Sequence, residues 1–185
     1  MDIQKNVLIT GASRGIGRAI ATRLTQDGYR VINLDQLAPP SLLKDEAFHQ
    51  VDITDSNALK SLLQEITNRT KVLRLVNNAG IIKPGALEDV SAADFDAVYA
   101  LNLKAPMVLA QHLLAQMRQE NFGRIVNIAS RAALGKEERT AYAAMKAGLQ
   151  GMTRTWALEL AQYGITVNAI GPGPIATELF TSGNP

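Results

Sequence analysis

The chain has 185 residues, of which 46% are hydrophobic and 19% are charged, and it contains no cysteine. This composition is typical of a single globular domain, here residues 1–185, and it excludes disulfides, a thiolate nucleophile and iron–sulfur sites. The net charge of +2 is small, and the sequence has no block of like charges of the kind that marks a nucleic-acid-binding surface. We therefore expect no nucleic-acid partner.

The apolar runs are also too short for a signal peptide or a membrane span. Val7, Leu8 and Ile9 form the first run, and no later run approaches the roughly 18 residues that a membrane helix needs. We expect a cytoplasmic protein without a membrane partner.

Short apolar runs alternate with helical patterns along the chain. The runs predict strands at residues 7–10, 31–35, 48–52, 72–76, 125–128 and 166–170. Apolar residues three to four apart predict helices from residue 16 to Gly28, from Thr54 or Ser56 to Ile66, from Ser91 to Leu101, from 108 to 117, and from 141 to 161. Short strands that are apolar on both faces are typical of a parallel sheet with helices on both sides. The pattern therefore predicts an α/β fold with a doubly wound, Rossmann-type sheet of order 3-2-1-4-5-6.

A glycine-rich turn, residues 10–17, follows the first predicted strand and opens the first predicted helix. Gly11 suits a sharp turn with positive φ, and Gly15 and Gly17 lack the Cβ atoms that keep a backbone away from a pyrophosphate. A plain tight turn is the alternative, but the position in the first βαβ unit favours a dinucleotide site. Asp35, at the end of the second predicted strand, is placed to accept hydrogen bonds from a ribose, with a simple turn aspartate as the alternative.

A possible catalytic group lies later in the chain. Tyr142 and Lys146 are four residues apart and share one face of a helix. A cation one turn away favours the phenolate and brings a phenol into the range of acid/base work, although such pairs also occur on exposed helices. Ser130 follows the fifth predicted strand, at the sheet edge where this fold binds its ligands.

Together these motifs resemble those of the short-chain dehydrogenase/reductase family. The markers, in order, are the turn at residues 10–17 with spacing G-x-x-x-G-x-G, Asp52, the sequence at 77–80, Asn102, Ser130, Tyr142, Lys146, and Pro172-Gly173 with Ile175 and Thr177. The resemblance covers essentially the whole chain, and it is greatest to 3-oxoacyl-carrier-protein reductases and related sugar or polyol dehydrogenases.

The resemblance implies an oxidoreductase that moves a hydride between a nicotinamide cofactor and a secondary alcohol or ketone. It implies that Tyr142 is the general acid/base, that Ser130 orients the substrate oxygen, that Lys146 lowers the Tyr142 pKa and bonds the ribose, and that Asn102 supports a water relay. The implied cofactor-binding residues are Gly11, Ser13, Arg14, Gly15, Ile16, Gly17, Asp35, Asp52, Ile53, Asn78, Ala79, Gly80, Tyr142, Lys146, Gly173, Ile175 and Thr177. A metal site is not expected.

The cofactor prediction is NAD rather than NADP. Arg14 in the turn is a feature that often accompanies NADP in this family, but Asp35 opposes a 2′-phosphate by charge repulsion. Two other functions stay open: a sugar-nucleotide epimerase-like enzyme and a nucleotide-binding regulator.

Three further expectations concern the surface and the chain end. The helices near 103–117 and 141–161 carry surplus apolar residues, which in related enzymes form a four-helix bundle between subunits, so we expect a homodimer or homotetramer. The charged run at 136–139 is expected to be solvated on the substrate rim. The family's substrate loop and last strand follow Ile175, so the domain is expected to be incomplete at its C-terminus, to bind NAD, to turn over poorly and to aggregate through an exposed edge strand.

Overall fold

The computed structural model describes residues 5–177 and residue 181, and its centre is a six-stranded parallel sheet. The strands are β1 (Asn6–Thr10), β2 (Arg30–Asp35), β3 (Ala47–Gln50), β4 (Arg74–Asn77), β5 (Gly123–Ile128) and β6 (Ile165–Ile170). Their spatial order is β3-β2-β1-β4-β5-β6, which confirms the predicted Rossmann-type sheet. The chain changes direction across the sheet between β1 and β4, and a fold of this kind binds its ligands at that crevice.

Within residues 5–177, five helices cover the two faces of the sheet. They are α1 (Gly15–Gln26), α2 (Ser56–Arg69), α3 (Ala92–Tyr99), α4 (Ala105–Gln119) and α5 (Thr140–Leu160). A π-helical turn, Ala100–Lys104, joins α3 to α4, and short 3₁₀ turns lie at Leu87–Asp89, Arg131–Leu134 and Ala161–Tyr163. None of the helices in the described part of the chain is long and apolar enough to cross a membrane.

Each face of the sheet has its own hydrophobic core. On one face, Leu63 of α2 and Leu109 and Leu113 of α4 are fully buried against the strands. On the other face, Ala21 of α1 packs with Ile9 of β1. Each buried leucine contributes about 1.5–3 kcal/mol, so the two cores hold the strand ends in fixed positions.

The structure moves several predicted boundaries. β3 ends at Gln50 because Asp52 turns the chain by accepting hydrogen bonds from Thr54. The cap of α2 is neither Thr54 nor Ser56 but Asp55, whose carboxylate accepts from two backbone N–H groups of the first turn. The separate patterns at 91–101 and 108–117 form one continuous helical segment through the π-helical turn.

The sheet edge beyond β5 is formed by β6, within the residues that the structure describes. One side of β6 is buried through Ile165 and Val167, whereas Ile170 is 53% exposed. Residues 178–180 and 182–185, to which the expectation of an incomplete substrate region partly refers, lie outside the described residues. The expected aggregation stays a prediction.

Candidate active site

A cleft of about 340 Å³ lies at the carboxyl ends of the strands. It is lined by most of the predicted site residues, namely Gly11, Arg14, Gly15, Ile16, Asp35, Ile53, Asn78, Ala79, Gly80, Ser130, Tyr142, Lys146, Gly173, Ile175 and Thr177. Four predicted residues, Ser13, Gly17, Asp52 and Asn102, are not among its lining residues. Ser13, Gly17 and Asn102 are buried, whereas Asp52 is exposed.

The glycine-rich turn is built by backbone geometry. Gly11 and Gly15 have φ values of +68° and +55°, which residues with a Cβ rarely adopt. Gly17 has a packing role that the sequence analysis did not include: a Cβ there would lie 2.0 Å from the carbonyl oxygen of Gly11. Gly17 therefore permits the start of α1 to pack against the turn that follows β1.

Two buried polar residues that the sequence analysis did not select hold this turn. Asn33, in the middle of β2, accepts a hydrogen bond from the backbone N–H of Ala12 (3.1 Å) and donates to Ser13 Oγ (3.1 Å). It also donates to Oε1 of Glu46 (3.0 Å), which in turn accepts from the Arg18 guanidinium (2.9 Å). The sequence did contain a signal for this role, because Asn33 interrupts the otherwise apolar run of β2.

The carboxylate of Asp35 is held in place at the end of β2. Its Oδ2 accepts from the backbone N–H of Ser13 (3.1 Å), and its Oδ1 accepts from the backbone N–H of Leu37 (3.1 Å). Asp52, by contrast, uses its Oδ1 for the N–H and hydroxyl of Thr54, at 2.8 and 2.7 Å. Asp35 thus presents a fixed negative charge to the cleft, while the neighbour of Asp52, Ile53, supplies an apolar wall.

Asn78 and Asn102 connect the strand ends to the cleft floor. The Asn78 amide donates to the carbonyl oxygens of Thr10 (2.9 Å) and Gly11 (3.0 Å), which joins β4 to the glycine-rich turn. Asn102 is buried within the π-helical turn. Its side-chain oxygen accepts a hydrogen bond from the backbone N–H of Ile81, and its NH₂ group donates to the Ile81 carbonyl, both at 2.9 Å. These contacts fix the segment from 78 to 81; π-helical turns of this kind are frequent at functional sites.

Ser130, Tyr142 and Lys146 meet at the same end of the cleft. Ser130 follows β5, and its Oγ accepts from the backbone N–H of Ala132 (3.1 Å). Lys146 lies one turn after Tyr142 on α5, with Nζ 5.6 Å from the centre of the phenol ring. The ammonium donates to the carbonyl oxygen of Ile128 at 2.6 Å. A hydroxyl, a phenol and a buried amine therefore face one cavity.

Burial has the largest influence on the pKa values of Tyr142 and Lys146. It raises the pKa of Tyr142 above its usual value, against the opposing effects of a hydrogen bond with Ser130 and the positive charge of Arg139. It lowers the pKa of Lys146 to about 8. The cation whose charge opposes this rise in the Tyr142 pKa is Arg139. The expected lowering of the Tyr142 pKa by Lys146 stays a prediction.

Arg139 was expected to be solvated with the rest of its charged run, and this expectation is wrong. Arg139 is only 4% exposed and lines the cleft, whereas Glu138 is exposed. The backbone around it is fixed by Gly85, whose N–H donates to the carbonyl of Glu138 at 3.1 Å. The available signal was its spacing, because a residue three before Tyr142 shares the face of α5 that carries the phenol.

The site can hold a dinucleotide. The positive-φ glycines bring the backbone close to the cleft, and within the described residues no side chain caps the start of α1. The exposed N–H groups of a helix start favour a pyrophosphate, and the Asp35 carboxylate favours ribose hydroxyls. The residues present therefore fit a nicotinamide dinucleotide.

Comparison with known proteins identifies the family to which the chain belongs. A family model for short chain dehydrogenases matches residues 5–185. A curated relative, (2S)-[(R)-hydroxy(phenyl)methyl]succinyl-CoA dehydrogenase subunit BbsD of Thauera aromatica, is 39% identical over 97% of this chain and 77% of its own length.

Solved structures are similar over nearly the whole chain. ElxO with NADP bound has a TM-score of 0.90 at 30% identity, covering 97% of this chain and 77% of that one. The 3-ketoacyl-(acyl-carrier-protein) reductase of Brucella melitensis, complexed with NADH, has a TM-score of 0.90 at 27% identity, covering 96% and 78%. The chain belongs to the short-chain dehydrogenase/reductase family, and it is an NAD(P)-dependent oxidoreductase that transfers a hydride between its cofactor and a secondary alcohol or ketone.

Proposed function

We propose that Tyr142 is the general acid/base of this oxidoreductase, with Ser130 and Lys146 as its partners, and that NAD(H) is preferred over NADP(H). The observation that carries the first part is the meeting of these three side chains in the cleft that the glycine-rich turn and Asp35 also line. The bound dinucleotide supplies or accepts the hydride at its nicotinamide ring.

In the reducing direction, the protein must deliver one proton to the carbonyl oxygen of the ketone. The raised pKa of Tyr142 keeps its phenol protonated at neutral pH, which is the form that donates. The Oγ of Ser130 accepts from Ala132 N–H, which leaves its hydroxyl proton available, and a bound ketone oxygen can accept that proton in place of Tyr142. Oxidation of the alcohol runs in reverse, with the phenolate of Tyr142 taking the hydroxyl proton.

Lys146 is placed to return the proton that Tyr142 gives up. With a pKa of about 8 its ammonium is an acid near neutral pH, unlike an ordinary lysine. Its bond to Ile128 O holds it beneath the phenol. Asn102, bonded to Ile81, keeps the adjacent backbone in place, and a water relay through it is part of this proposal.

The test compares Tyr142→Phe with the wild type. We expect the variant to bind NADH with unchanged fluorescence enhancement and to lose at least about 100-fold in kcat for ketone reduction, the usual contribution of a general acid. A variant that retains more than a third of the wild-type kcat would remove Tyr142 from the proposed role.

The NAD preference is supported by the fixed carboxylate of Asp35. Two backbone N–H groups hold it, so it cannot swing away from a ribose 2′-phosphate. Like charges about 4 Å apart repel by roughly 4 kcal/mol at an effective dielectric of about 20. We expect NADH to have the lower KM by about 100-fold or more, and Asp35→Asn, which removes the charge but keeps an acceptor, to reduce that ratio. Equal KM values for NADH and NADPH would refute this part.

We further propose a homodimer or homotetramer. On α5, one of the two helices that were expected to pair, Leu158 is 83% exposed. Tyr99 of α3, which continues into α4 through the π-helical turn, is 41% exposed. Burying such apolar side chains in an interface is favourable. Light scattering tests the proposal, and a monomer at micromolar concentration would contradict it.

A further inference from the structure

Three buried polar side chains link the sheet to α5. Asn77, the last residue of β4, is paired in register with Asn127 of β5, and its Nδ2 donates to Asn127 Oδ1 at 2.8 Å. Asn127 Nδ2 donates to Thr153 Oγ1 at 2.9 Å, and the Thr153 hydroxyl donates to the carbonyl oxygen of Leu149 at 2.7 Å. We call Asn77, Asn127 and Thr153 the polar ladder. All three side chains are buried, so the hydrogen bonds between them are shielded from water.

The surroundings of the polar ladder are apolar. Ile125, two residues before Asn127 on β5, faces the same side of the sheet, and both Ile125 and Leu149 are fully buried. An amide is costly at such a place unless it is hydrogen-bonded, whereas an apolar side chain of the same size carries no such cost. Apolar contacts, however, are not directional, and they leave a helix free to rotate slightly about its axis. Hydrogen bonds require a set distance and angle, so the polar ladder fixes that rotation.

The polar ladder meets α5 on the face that carries the phenol. Tyr142, Lys146, Leu149 and Thr153 follow one another at intervals of four, three and four residues, so they form one stripe along the helix. The Lys146 ammonium donates to the carbonyl oxygen of Ile128, the last residue of β5. Helix α5 is therefore attached to the end of β5 at two points, which lie about 10 Å apart along the helix axis.

Each element that the polar ladder joins leads to a different part of the active site. Strand β4 continues into residues 78–80, which line the cleft, β5 leads to Ser130, and α5 carries Tyr142. A hydrogen bond connects the Ser130 and Tyr142 side chains, so a small rotation of α5 changes the distance between the hydroxyl and the phenol. A displacement of about 1 Å at a reacting group can lower a rate about 100-fold.

We propose that Thr153 is a positioning residue of the reaction: through its hydrogen bond with Asn127 it fixes the rotation of α5 and so places the Tyr142 phenol against the substrate oxygen. Thr153 is not among the residues that line the cleft, so its effect passes through the helix. This inference rests on the proposed function, since it takes Tyr142 as the general acid/base.

The experiment compares Thr153→Val with Thr153→Ser. The valine fills the space but leaves the Asn127 amide without its acceptor, whereas the serine keeps the hydroxyl. Reduction is measured with NADH and the best substrate of a ketone panel made up of ethyl 3-oxobutanoate, 2,3-butanedione and cyclohexanone. We expect Thr153→Val to lose about 10- to 100-fold in kcat, with the KM values changed by less than about threefold, because positioning acts on the reaction rather than on binding. Thr153→Ser should retain at least about half of the wild-type kcat.

Thr67→Val is the matched control. The Thr67 hydroxyl on α2 also donates to the carbonyl oxygen four residues earlier, that of Leu63, at 2.8 Å, but it does not line the cleft. Rates are measured at a temperature where circular dichroism shows that all variants are folded, so a loss of folded protein does not enter kcat. The control should keep its kcat within about twofold of the wild type. Equal kcat values for Thr153→Val and Thr67→Val, or no recovery in Thr153→Ser, would overturn the inference.

Hydrogen exchange tests the position of α5 without any substrate. Backbone amides of residues 140–150 in the NADH complex should exchange faster in Thr153→Val than in the wild type, because one attachment of the helix to β5 is lost. They should exchange at the wild-type rate in Thr67→Val. Unchanged exchange in Thr153→Val would contradict the fixing of α5 by the polar ladder.

A double variant separates this inference from the proposed function. Since Thr153 acts through Tyr142, adding Thr153→Val to Tyr142→Phe should lower the remaining kcat by less than about twofold, whereas independent effects multiply. A multiplied loss therefore contradicts the inference. A Tyr142→Phe enzyme that keeps its activity refutes the proposed function and this inference with it. A loss in Tyr142→Phe with a wild-type kcat in Thr153→Val refutes the inference alone.

Discussion

Glu46 is the residue on which the strongest stability prediction depends. Its carboxylate is fully buried and lies 2.8 Å from Nη1 of Arg18, whose side chain is 17% exposed. It also accepts from the backbone N–H of Leu43 (2.8 Å) and from the amide of Asn33 (3.0 Å). In Glu46→Gln, one oxygen becomes an NH₂ group, so a donor faces a donor and the guanidinium loses its counter-charge.

The size of the effect follows from this environment. Breaking a buried ion pair by removing one partner costs about 3–5 kcal/mol. In a chain of this length each kcal/mol lowers the Tm by roughly 2–4 °C, so we expect Glu46→Gln to melt about 6–20 °C below the wild type. Asn33 loses one of its acceptors, and because it also holds Ala12 and Ser13, the glycine-rich turn loosens. NADH affinity should therefore fall by about fivefold, the worth of one hydrogen bond of ~1 kcal/mol.

The assay is thermal unfolding by circular dichroism, together with NADH titration at a temperature where both proteins are folded. Glu65→Gln is the matched control, because Glu65 is an exposed partner of Arg69 and such a pair contributes at most about 1 kcal/mol. A Glu46→Gln protein that melts within 2 °C of the control, with equal NADH affinity, would refute the argument about the buried network.

Two further predictions concern the turn and the acid/base. Gly17→Ala places a Cβ 2.0 Å from Gly11 O and should destabilise the fold by about 3 kcal/mol or more. Gly151→Ala in α5, whose new Cβ meets nothing within 4 Å, should stabilise the fold by about 0.5–1 kcal/mol. Urea unfolding compares the two variants, and equal midpoints would contradict the packing role of Gly17. The raised pKa of Tyr142 should make alcohol oxidation increase with pH until above pH 10, while ketone reduction does not need high pH; an oxidation profile that is level from below pH 8 would contradict this.

Most of the fold could be predicted because its information is local. Each strand is a compact apolar run with a turn after it, and the order of the strands follows from right-handed crossovers. The boundaries could not be predicted as well, because they depend on single hydrogen bonds: Asp55 caps α2 although Thr54 and Ser56 are equally plausible caps in the sequence. The continuous segment from α3 to α4 also escaped prediction, since a π-helical turn shifts the apolar period.

In the site, the residues of the glycine-rich turn and the pair Tyr142 and Lys146 were predictable from their spacing. The burial of Glu46 and of Arg139 was not predictable. Glu46 lies in a weakly patterned loop and Arg139 in a run of charges, and both patterns indicate solvent exposure when they are read alone. Their burial results from contacts distant in sequence, with Arg18 for Glu46 and with the backbone around Gly85 for Arg139.

Lys146 should also make the stability of the free enzyme depend on pH. Its pKa is about 8 in the folded protein and near its ordinary value of 10.5 in the unfolded chain, because only the folded state buries it. Between these values the unfolded chain binds more protons, so the free energy of unfolding increases as the pH rises. The full shift corresponds to about 3 kcal/mol.

Two other groups define the window in which this increase can be measured. Burial also lowers the pKa of His112 from 6.5. The free energy of unfolding therefore depends on His112 mainly below pH 7, outside this window. The raised pKa of Tyr142 acts above pH 10, where the unfolded chain loses a proton that the folded protein keeps, and stability then falls. Urea unfolding at pH 7.5 and 9.5 should therefore show a gain of about 2 kcal/mol in the wild type and in the exposed control Lys60→Met, but not in Lys146→Met. An equal gain in all three proteins would show that the ammonium of Lys146 is not desolvated in the folded state.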